Sequence, residues 1–336
     1  MNNKRGKVYN RIFTTEKWNL VNNENKDVME DFLEEYTQRQ KKKSTLVQYR
    51  NDIRIILIYI LEKCGNRSIL ELRKKDFRRL NIYLSQEKGM SNARVNRLMS
   101  ATHSLLTYCE DDDEYDYDIN VSLKVKGLPK KPVRVDEDDF FFSFDQFIAV
   151  RDELIKRKEY KLAALHSLLF DSGGRRNEIF QINKENILDG NKTNIVVGKR
   201  GKLFVLVYLN DTKDIIKQYL DDRGNDDIPN LWIIGKGENK KPATYEDIYL
   251  WVVKISKLFS EIEHKNIQIF PHSYRHARAE CLLQGEDARL KDKDGNNKKF
   301  TLEQVQAFLH HSDPSTTLSY AKDHSEDIVD NMFGIE

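Results

Sequence analysis

Apolar side chains recur at three- and four-residue steps from residue 25 to residue 110, which predicts several amphipathic helices in succession. Val28, Phe32 and Tyr36 form one such apolar face. Serine residues of the kind that cap helix N-termini precede the later periodic stretches: they are Ser44, Ser68 and Ser91. Proline is absent from the first 128 residues. This part of the chain is therefore predicted to be an all-helical domain.

The pattern changes in the second half of the chain. A helical stretch ends at the helix-breaking sequence DSGG (171–174), and the segment NIVVGKRGKLFVLVYL (194–209) contains two β-branched runs joined by a Gly-Lys-Arg-Gly turn. This combination is typical of a β-hairpin. The apolar run LWIIG (231–235) predicts a further short strand. Helical patterns then return over 245–259, 272–283, 302–309 and 316–332. The second half is therefore predicted to be mainly helical with a small sheet.

The periodicity dissolves between residues 110 and 135. An acidic run is followed there by KVKGLPKKPVR, whose two prolines and five basic residues fit neither a helix nor a strand. A length of 336 residues also allows about two domains of roughly 150 residues each. We therefore divide the chain into four parts: a basic N-terminal tail (1–22), a helical domain (23–122), a basic linker (123–138) and a second domain that ends in a tail helix (139–336).

Composition excludes several classes of protein. No run approaches the roughly 18 apolar residues needed to cross a bilayer, and the basic N-terminus leads into polar residues rather than a secretion signal. A cytoplasmic protein without membrane contact is expected. The three cysteines, Cys64, Cys109 and Cys281, are too far apart for a zinc site or a disulfide framework.

Charge is balanced overall but clustered along the chain. The net charge is +2, from 56 basic and 54 acidic residues. The basic clusters are either solvated helix faces or, if the fold brings them together, a surface for DNA phosphates. The N-terminal tail is likewise either a DNA-contacting arm or disordered. On the DNA-binding interpretation the candidate contacts are Lys41, Lys42, Lys43, Arg50, Arg94, Arg97, Lys130 and Lys131.

Four short stretches concentrate residues suited to chemistry on a phosphate: GGRRNEI (173–179), GKRGK (198–202), HSYRH (272–276) and LHHSDPSTTLSY (309–320). Arginine side chains bind phosphate oxygens in pairs and stabilise charge that grows on the phosphorus centre. A tyrosine hydroxyl can become a covalent nucleophile. The set therefore predicts attack by a tyrosine on a phosphodiester.

In order and spacing, these stretches resemble the motifs of the tyrosine recombinase (phage integrase) family, which read approximately G-x-R-x-x-E-L, a hairpin lysine, H-x-x-R-H, and L-G-H followed by T-T-x-x-Y. The segment STLVQYRNDIR (44–54) resembles the core-binding domain of the family, so the resemblance covers about residues 25–325. It implies a mainly α fold: an N-terminal helical core-binding (SAM-like) domain and a C-terminal α+β catalytic domain with a small antiparallel sheet.

The resemblance also implies roles for individual residues. The predicted catalytic residues are Arg175, Lys199, His272, Arg275, His311 and Tyr320. Arg175 and Arg275 would clamp the phosphate, and His272 would transfer a proton. Lys199 would protonate the leaving 5′ oxygen, with Lys202 as the alternative donor.

At the last motif, His311 would bond the scissile phosphate and Tyr320 would be the nucleophile. His310 replaces the family's glycine, which is one departure. A second is the stretch KDKDGNNKKFTLE (291–303), predicted to be a polar surface loop; it faintly resembles a calcium loop, but its glycine falls at position four instead of six. Glu178 is expected to orient an arginine rather than to donate a proton.

The implied activity is site-specific DNA recombination, by the integrase of a phage or other mobile element. Tyr320 would form a 3′-phosphotyrosine that conserves the bond energy, so no nucleotide, metal or other cofactor is expected. His272 and His276 have a spacing found in metal sites, but no glutamate follows His272 as in zinc proteases. The implied partner is double-stranded DNA, bound by a homotetramer on paired DNA sites that assembles from monomers or dimers in solution.

Two other functions are open at this point. A DNA-binding regulator such as a repressor would keep the basic surfaces without catalysis, and a DNA topoisomerase shares the catalytic set. The filled catalytic positions favour an enzyme, and the core-binding domain favours recombination. An apolar strip near the C-terminus (328–335) is expected to dock on a neighbouring protomer, with docking on its own chain as the alternative.

Overall fold

The structure is a computed structural model that describes residues 12–129 and 142–310, apart from the side chain of Arg200. The chain divides into two compact units, Met1–Pro132 and Val133–Glu336. This boundary falls inside the predicted linker. Each unit buries a hydrophobic core of its own.

The N-terminal unit is built from helices, as the periodic pattern predicts. The α-helices in its described part are α1 (Thr15–Leu20), α2 (Asn23–Gln38), α3 (Lys43–Lys63), α4 (Lys74–Ile82) and α5 (Asn92–Asp111). Shorter helical turns are Ile69–Glu71, Tyr83–Glu87 and Val121–Lys124. The core forms where the apolar faces of α2, α3 and α5 meet, around Phe32, Ile56 and Leu105. Ser91 accepts the backbone N–H of Arg94 and caps α5, which confirms that helix start.

Part of the predicted N-terminal tail belongs to this unit. Ile12 and Val21 are buried in its core, and α1 lies against α3. The guanidinium of Arg54 lies 5.3 and 5.1 Å from the ring centroids of Phe13 and Trp18. Residues 12–22 are therefore folded onto the N-terminal unit, because apolar side chains among the basic ones bury enough surface to hold that segment. Whether this segment contacts DNA stays a prediction. Residues 1–11 lie outside the described part of the chain.

The start of the predicted linker also packs on the N-terminal unit. Val125 is buried. The side-chain amide of Asn96 donates to the carbonyl of Leu128 at 2.9 Å and accepts its N–H at 2.8 Å. These bonds hold residues 123–128 against α5, and the remainder of the linker from residue 130 is not among the described residues.

The C-terminal unit surrounds one central helix. Its described α-helices are α6 (Phe144–Lys156), α7 (Tyr160–Ser172), α8 (Arg176–Phe180), α9 (Asn210–Arg223), α10 (Tyr245–Ile262), α11 (Pro271–Gln284) and α12 (Leu302–Phe308). Helix α7 is buried from Leu162 to Ser172 and contacts α6, α9, α10 and α11. The helix predicted over 316–332 falls outside the described residues.

The described residues of this unit also form two small antiparallel sheets. The strands are β1 (Lys192–Val197), β2 (Leu203–Val207), β3 (Ile233–Ile234) and β4 (Lys241–Pro242). Strands β1 and β2 form the predicted hairpin around the turn Lys199–Gly201, with Val196 opposite Phe204. Strand β3 lies within the predicted LWIIG run and pairs with β4. The predicted fold class is confirmed. In the described ranges, no helix is both long and apolar enough to cross a membrane.

Candidate active site

The first motif is built on the sharp turn that ends α7. Gly173 has a φ of +56°, and a Cβ at this position would lie 2.6 Å from Cδ2 of Leu309. Glycine meets both the left-handed conformation and the close approach. The chain then starts α8 with Arg175 at its N-cap. The predicted helix break thus brings the start of this motif against the C-terminal end of α12.

Glu178 holds Arg175 in place. Its Oε1 accepts a hydrogen bond from Nη1 of Arg175 at 3.0 Å, and its Oε2 accepts the backbone N–H of Arg175 at 2.8 Å. Glu178 is buried, whereas the side chain of Arg175 is 28% exposed. These are the contacts expected of a carboxylate that orients an arginine. Arg176 turns elsewhere, with its guanidinium 3.7 Å from the ring centroid of Tyr245.

Arg275 joins the first motif to the last one. Its Nη1 donates to the carbonyl of Gly173 at 2.7 Å, and its Nη2 donates to the carbonyl of Leu309. Both carbonyls lie at helix ends, where backbone acceptors have no partner within the helix. Arg275 is only 2% exposed and is carried by α11, which begins at Pro271. Its guanidinium therefore ties three of the four motif stretches together.

His272 lies within electrostatic range of both arginines. Desolvation, and then the positive charges of Arg275 and Arg175, lower the pKa of His272. Its ring centroid is 4.9 Å from that of His276, whose pKa is lowered to about 4 by burial and by the charges of His272 and Arg275. Both rings are therefore neutral at neutral pH, and a neutral imidazole can take up a proton. Nowhere in the described chain do three or more His, Cys, Asp or Glu side chains gather as metal ligands would.

The lysine turn of the hairpin lies next to these groups. Lys199 and Lys202 are both exposed on it. A Cβ on Gly198 would lie 3.4 Å from Oε1 of Glu178, so the base of the turn adjoins the first motif. After desolvation, the charge of Lys202 is the largest influence that lowers the pKa of His310. The choice between Lys199 and Lys202 as proton donor stays a prediction.

His310 is the last residue of the final motif that the structure describes. Its φ is +55°, and its ring stacks on Phe204 of β2 with centroids 4.0 Å apart and planes at 28°. His311 and Tyr320 follow it in the sequence and lie outside the described residues.

The described residues therefore bring Arg175, His272, Arg275 and the lysine turn together at the end of α12. Two guanidinium groups and the nearby ammonium groups give this place a positive charge, and the neutral imidazole adds a proton acceptor. Such a set can bind a phosphodiester and stabilise the charge that develops when it is attacked.

The predicted DNA contacts of the N-terminal unit fall into two groups. Lys41, Lys42 and Lys43 are exposed at the start of α3. Arg50 is two helical turns beyond Lys43 and so lies on the same face of α3. Its guanidinium is 2.7 Å from the carboxylate of Glu30, and both side chains are exposed. Lys130 and Lys131 lie outside the described residues.

Arg94 and Arg97 of α5 form the second group, around a buried carboxylate. Asp52 lies 2.6 Å from Nη2 of Arg94 and 3.3 Å from Nε of Arg97, and its side chain is 3% exposed. Asp52 is two residues beyond Arg50, about 200° around α3. These two arginines therefore link α5 to α3. This link between the two helices is not visible in the sequence, because Asp52 precedes Arg97 by 45 residues.

A buried ion cluster near the first motif was also missed. Nη2 of Arg289 lies 2.7 Å from Asp171 and 2.8 Å from Asp287, and its Nη1 lies 2.9 Å from Asp211. The cluster connects the end of α7, the start of α9 and the segment after α11. Nothing in the sequence pairs Arg289 with Asp171, since they are 118 residues apart.

The stretch 291–303 is exposed from residue 291 to residue 299, as predicted for a surface loop. Oδ1 of Asp292 accepts the backbone N–H groups of Asp294 and Asn296, both at 2.9 Å. These are bonds of a tight turn that closes on itself. At its end, Phe300 packs against a small apolar cluster that includes Leu282.

Comparison with known proteins identifies the family of the chain. Residues 142–327, which are more than half of the chain, match the phage integrase family. The SPbeta prophage-derived recombinase-like protein YomM of Bacillus subtilis (strain 168) is 24% identical over 323 residues, covering 91% of this chain and 90% of the relative. Tyrosine recombinase XerC of Pseudomonas putida (strain W619) is 25% identical over 302 residues, covering 87% and 91%.

A solved structure of a lambda integrase tetramer bound to a Holliday junction shares the fold, with a TM-score of 0.61 and 13% identity over 88% of this chain and 77% of that one. The predicted family and enzyme class are confirmed. Because residues 142–327 match the family model, the chain belongs to the phage integrase family of tyrosine recombinases.

Proposed function

We propose that this protein is a site-specific recombinase of a phage or other mobile element, which cuts and rejoins double-stranded DNA through a 3′-phosphotyrosine at Tyr320. The observation that carries the proposal is the convergence of Arg175, His272 and Arg275 with the lysine turn at the end of α12. The family match and the prophage-derived relative support the same function.

In the proposed first step, the phenolic oxygen of Tyr320 attacks phosphorus and the bond from phosphorus to the 5′ oxygen breaks. Arg175 and Arg275 stabilise the charge on the non-bridging oxygens. His272 takes up the phenolic proton, and Lys199 gives a proton to the departing 5′ oxygen. His311, which follows the described residues, adds a hydrogen bond to the phosphate.

In the second step, a 5′-hydroxyl of the partner duplex attacks the phosphotyrosine and releases Tyr320. Each step exchanges one phosphodiester for another, so the reaction needs no nucleotide. Side chains supply the positive charge around the phosphate, so we propose that it also needs no metal. We propose a homotetramer on two paired DNA sites, formed from monomers or dimers, by analogy with the lambda integrase tetramer.

We propose that the N-terminal unit binds the DNA outside the cleavage site. Exposed or linker lysines would bind phosphates: Lys41, Lys42, Lys43, Lys130 and Lys131. Arg50, Arg94 and Arg97 have carboxylate partners in the free protein. Contacts to phosphate fix the register of a protein on DNA and carry no sequence information. The lysines and arginines would therefore contribute DNA affinity that falls as the salt concentration rises.

The test begins with DNA chosen by the protein itself. Repeated binding and amplification of random duplexes yields the preferred sites. Such a site is then prepared with a nick at successive positions, so that cleavage next to the nick releases a short strand and the covalent complex accumulates. Wild-type protein and the control Tyr160→Phe should form the adduct, and Tyr320→Phe should bind equally well without forming it. Specific binding by the wild type with no adduct at any nick would contradict the proposal and indicate a DNA-binding regulator.

A further inference from the structure

His310 combines an unfavourable backbone conformation with an aromatic contact. Its φ of +55° lies in the left-handed region, where glycine has no steric cost. Its ring stacks on Phe204 with a centroid distance of 4.0 Å, a contact that glycine could not make. The stack on Phe204 therefore offsets the conformational cost of a non-glycine residue at this position.

Phe204 contacts the base of the lysine turn. A Cβ on Gly198 would lie 2.5 Å from Cε1 of Phe204, so the ring occupies the space beside that glycine. The N–H of Gly198 donates to the carbonyl of Lys202 at 2.8 Å and closes the turn. The Phe204 ring thus packs against the base of the lysine turn and also stacks on the ring of His310.

The hairpin needs such a contact near its turn. A two-stranded hairpin has little stability of its own. Its inner face is held in the core by Val196 and Leu206, while Ile195 and Leu203 on its outer face are 64% and 65% exposed. The position of the turn therefore depends on what the inner face touches, and Phe204 on His310 is one such contact.

The residue that precedes His310 is held by Arg275. The carbonyl of the preceding residue, Leu309, accepts a hydrogen bond from Arg275, and Leu309 is fully buried. Desolvation and the charge of Lys202 lower the pKa of His310, so a neutral ring stacks on Phe204. Contacts therefore run without interruption from Arg275 through Leu309, His310 and Phe204 to the lysine turn.

We propose that His310 is a positioning residue, whose stack on Phe204 holds the hairpin lysine where it can protonate the leaving 5′ oxygen. This inference rests on the proposed function. The proton passes from the lysine ammonium to the oxygen as the bond from phosphorus to that oxygen breaks, and His310 exchanges no proton. A displacement of a reacting group by about 1 Å can slow a reaction by about 10²-fold.

Different substitutions at His310 separate the effect of losing its ring from the effect of its backbone conformation. His310→Asn keeps a residue that tolerates positive φ and removes the ring, and His310→Gly removes the ring together with any strain. Both should slow single-turnover cleavage by about 10- to 100-fold. Phe204→Leu should do the same, while Phe204→Tyr keeps the rate. The double variant His310→Asn with Phe204→Leu should be no slower than the slower single variant, because both remove one interaction. DNA affinity and thermal midpoint should change little in all of them.

A substrate with sulfur in place of the bridging 5′ oxygen shows whether the lysine is the group being positioned. A thiolate leaves without protonation, because thiols are far more acidic than alcohols. On this substrate, His310→Asn, His310→Gly and Phe204→Leu should regain nearly the wild-type rate, as should the alanine variant of the donating lysine. Arg175→Ala should stay slow, because it acts on phosphate charge.

Equal slowing of the His310 variants on the oxygen and sulfur substrates, or an unchanged rate on the oxygen substrate, would overturn the inference. A wild-type protein that forms no covalent adduct on either substrate would overturn the proposed function instead. The two failures are therefore distinguishable.

Discussion

Arg289 is the central cation of the buried cluster in the C-terminal unit, and its replacement by methionine tests how that unit is held together. Its guanidinium contacts Asp171, whose side chain is 0% exposed, Asp287 at 2% and Asp211 at 33%. Arg289→Met keeps an apolar side chain over the neighbouring Phe144 and removes the charge. Asp171 and Asp287 would then be buried with less compensation.

The loss of stability in Arg289→Met depends on the partners that Asp171 and Asp287 keep. Removing one partner of a buried ion pair costs about 3–5 kcal/mol, because the other charge stays buried. Asp171 would still accept hydrogen bonds from Leu209 and Thr212, and Asp287 would keep Arg278 at 2.5 Å. We therefore expect the low end, about 3 kcal/mol. For a unit of about 200 residues, this lowers the thermal midpoint by about 6–12 °C.

Tryptophan fluorescence can report on this unit alone. Of the three tryptophans, Trp18 belongs to the N-terminal unit, whereas Trp232 and Trp251 are buried in the C-terminal unit. In a Trp18→Phe background, thermal and urea unfolding followed by fluorescence therefore monitor the C-terminal unit. The matched control is Arg157→Met, since Arg157 pairs with Glu153 at 2.8 Å on the surface and surface pairs contribute little.

The effect should also depend on pH. Burial by itself raises the pKa of Asp287, but hydrogen bonds and charge from Arg289, together with Arg278, hold it below its ordinary value. A lowered pKa contributes stability above the unfolded value, near 4, and this contribution is lost as pH falls through the folded value. The difference between Arg289→Met and wild type should therefore be constant from about pH 5 to pH 8 and shrink below about pH 4. A midpoint shift no larger than that of Arg157→Met would refute the reasoning.

Four other outcomes are expected. Strand cleavage should persist in a chelator and without nucleotide, because side chains supply the positive charge; strict dependence of the cleavage rate on magnesium would contradict this. Deletion of residues 326–336 should leave binding to one DNA site largely intact but reduce paired-site complexes in gel shifts, whereas normal pairing or an unfolded protein would refute docking of this tail between protomers. Lys43→Ala should weaken DNA binding and reduce the salt slope of affinity by about one, without changing stability. Arg94→Ala should instead destabilise the N-terminal unit, because it deprives the buried Asp52 of a partner at 2.6 Å. The readout is the part of the fluorescence change that disappears in the Trp18→Phe background, and an Arg94→Ala unit as stable as that of Lys43→Ala would contradict the structural role.

Features set by neighbours in the chain could be predicted from the sequence. The helix expected over 272–283 runs from Pro271 to Gln284, and the helix expected over 245–259 runs from Tyr245 to Ile262. The GKRGK turn joins the two expected strands. Apolar periodicity, caps and turn residues act over a few positions, so they can be read directly.

Features set by contacts between distant segments could not be predicted. The charge of Arg94 is visible in the sequence, whereas its ion pair with the buried Asp52 is not; its contact with DNA stays a prediction. The basic residues among the first 22 gave no sign that Trp18 packs against the apolar core of the N-terminal unit. The departure at His310 was visible, but its left-handed backbone and its stack on Phe204 depend on how β2 meets the end of α12. The same holds for the cluster around Arg289.

The central claim, covalent catalysis by Tyr320, is tested most directly by locating the bond between protein and DNA. The trapped adduct is digested with nuclease and trypsin and analysed by mass spectrometry. The tryptic peptide of residues 300–322 contains Tyr320 as its one tyrosine. We predict that this peptide carries a nucleotide on the Tyr320 oxygen through a 3′-phosphate, with a free 5′-hydroxyl on the released strand. Attachment at another residue, or through a 5′-phosphate, would contradict the account.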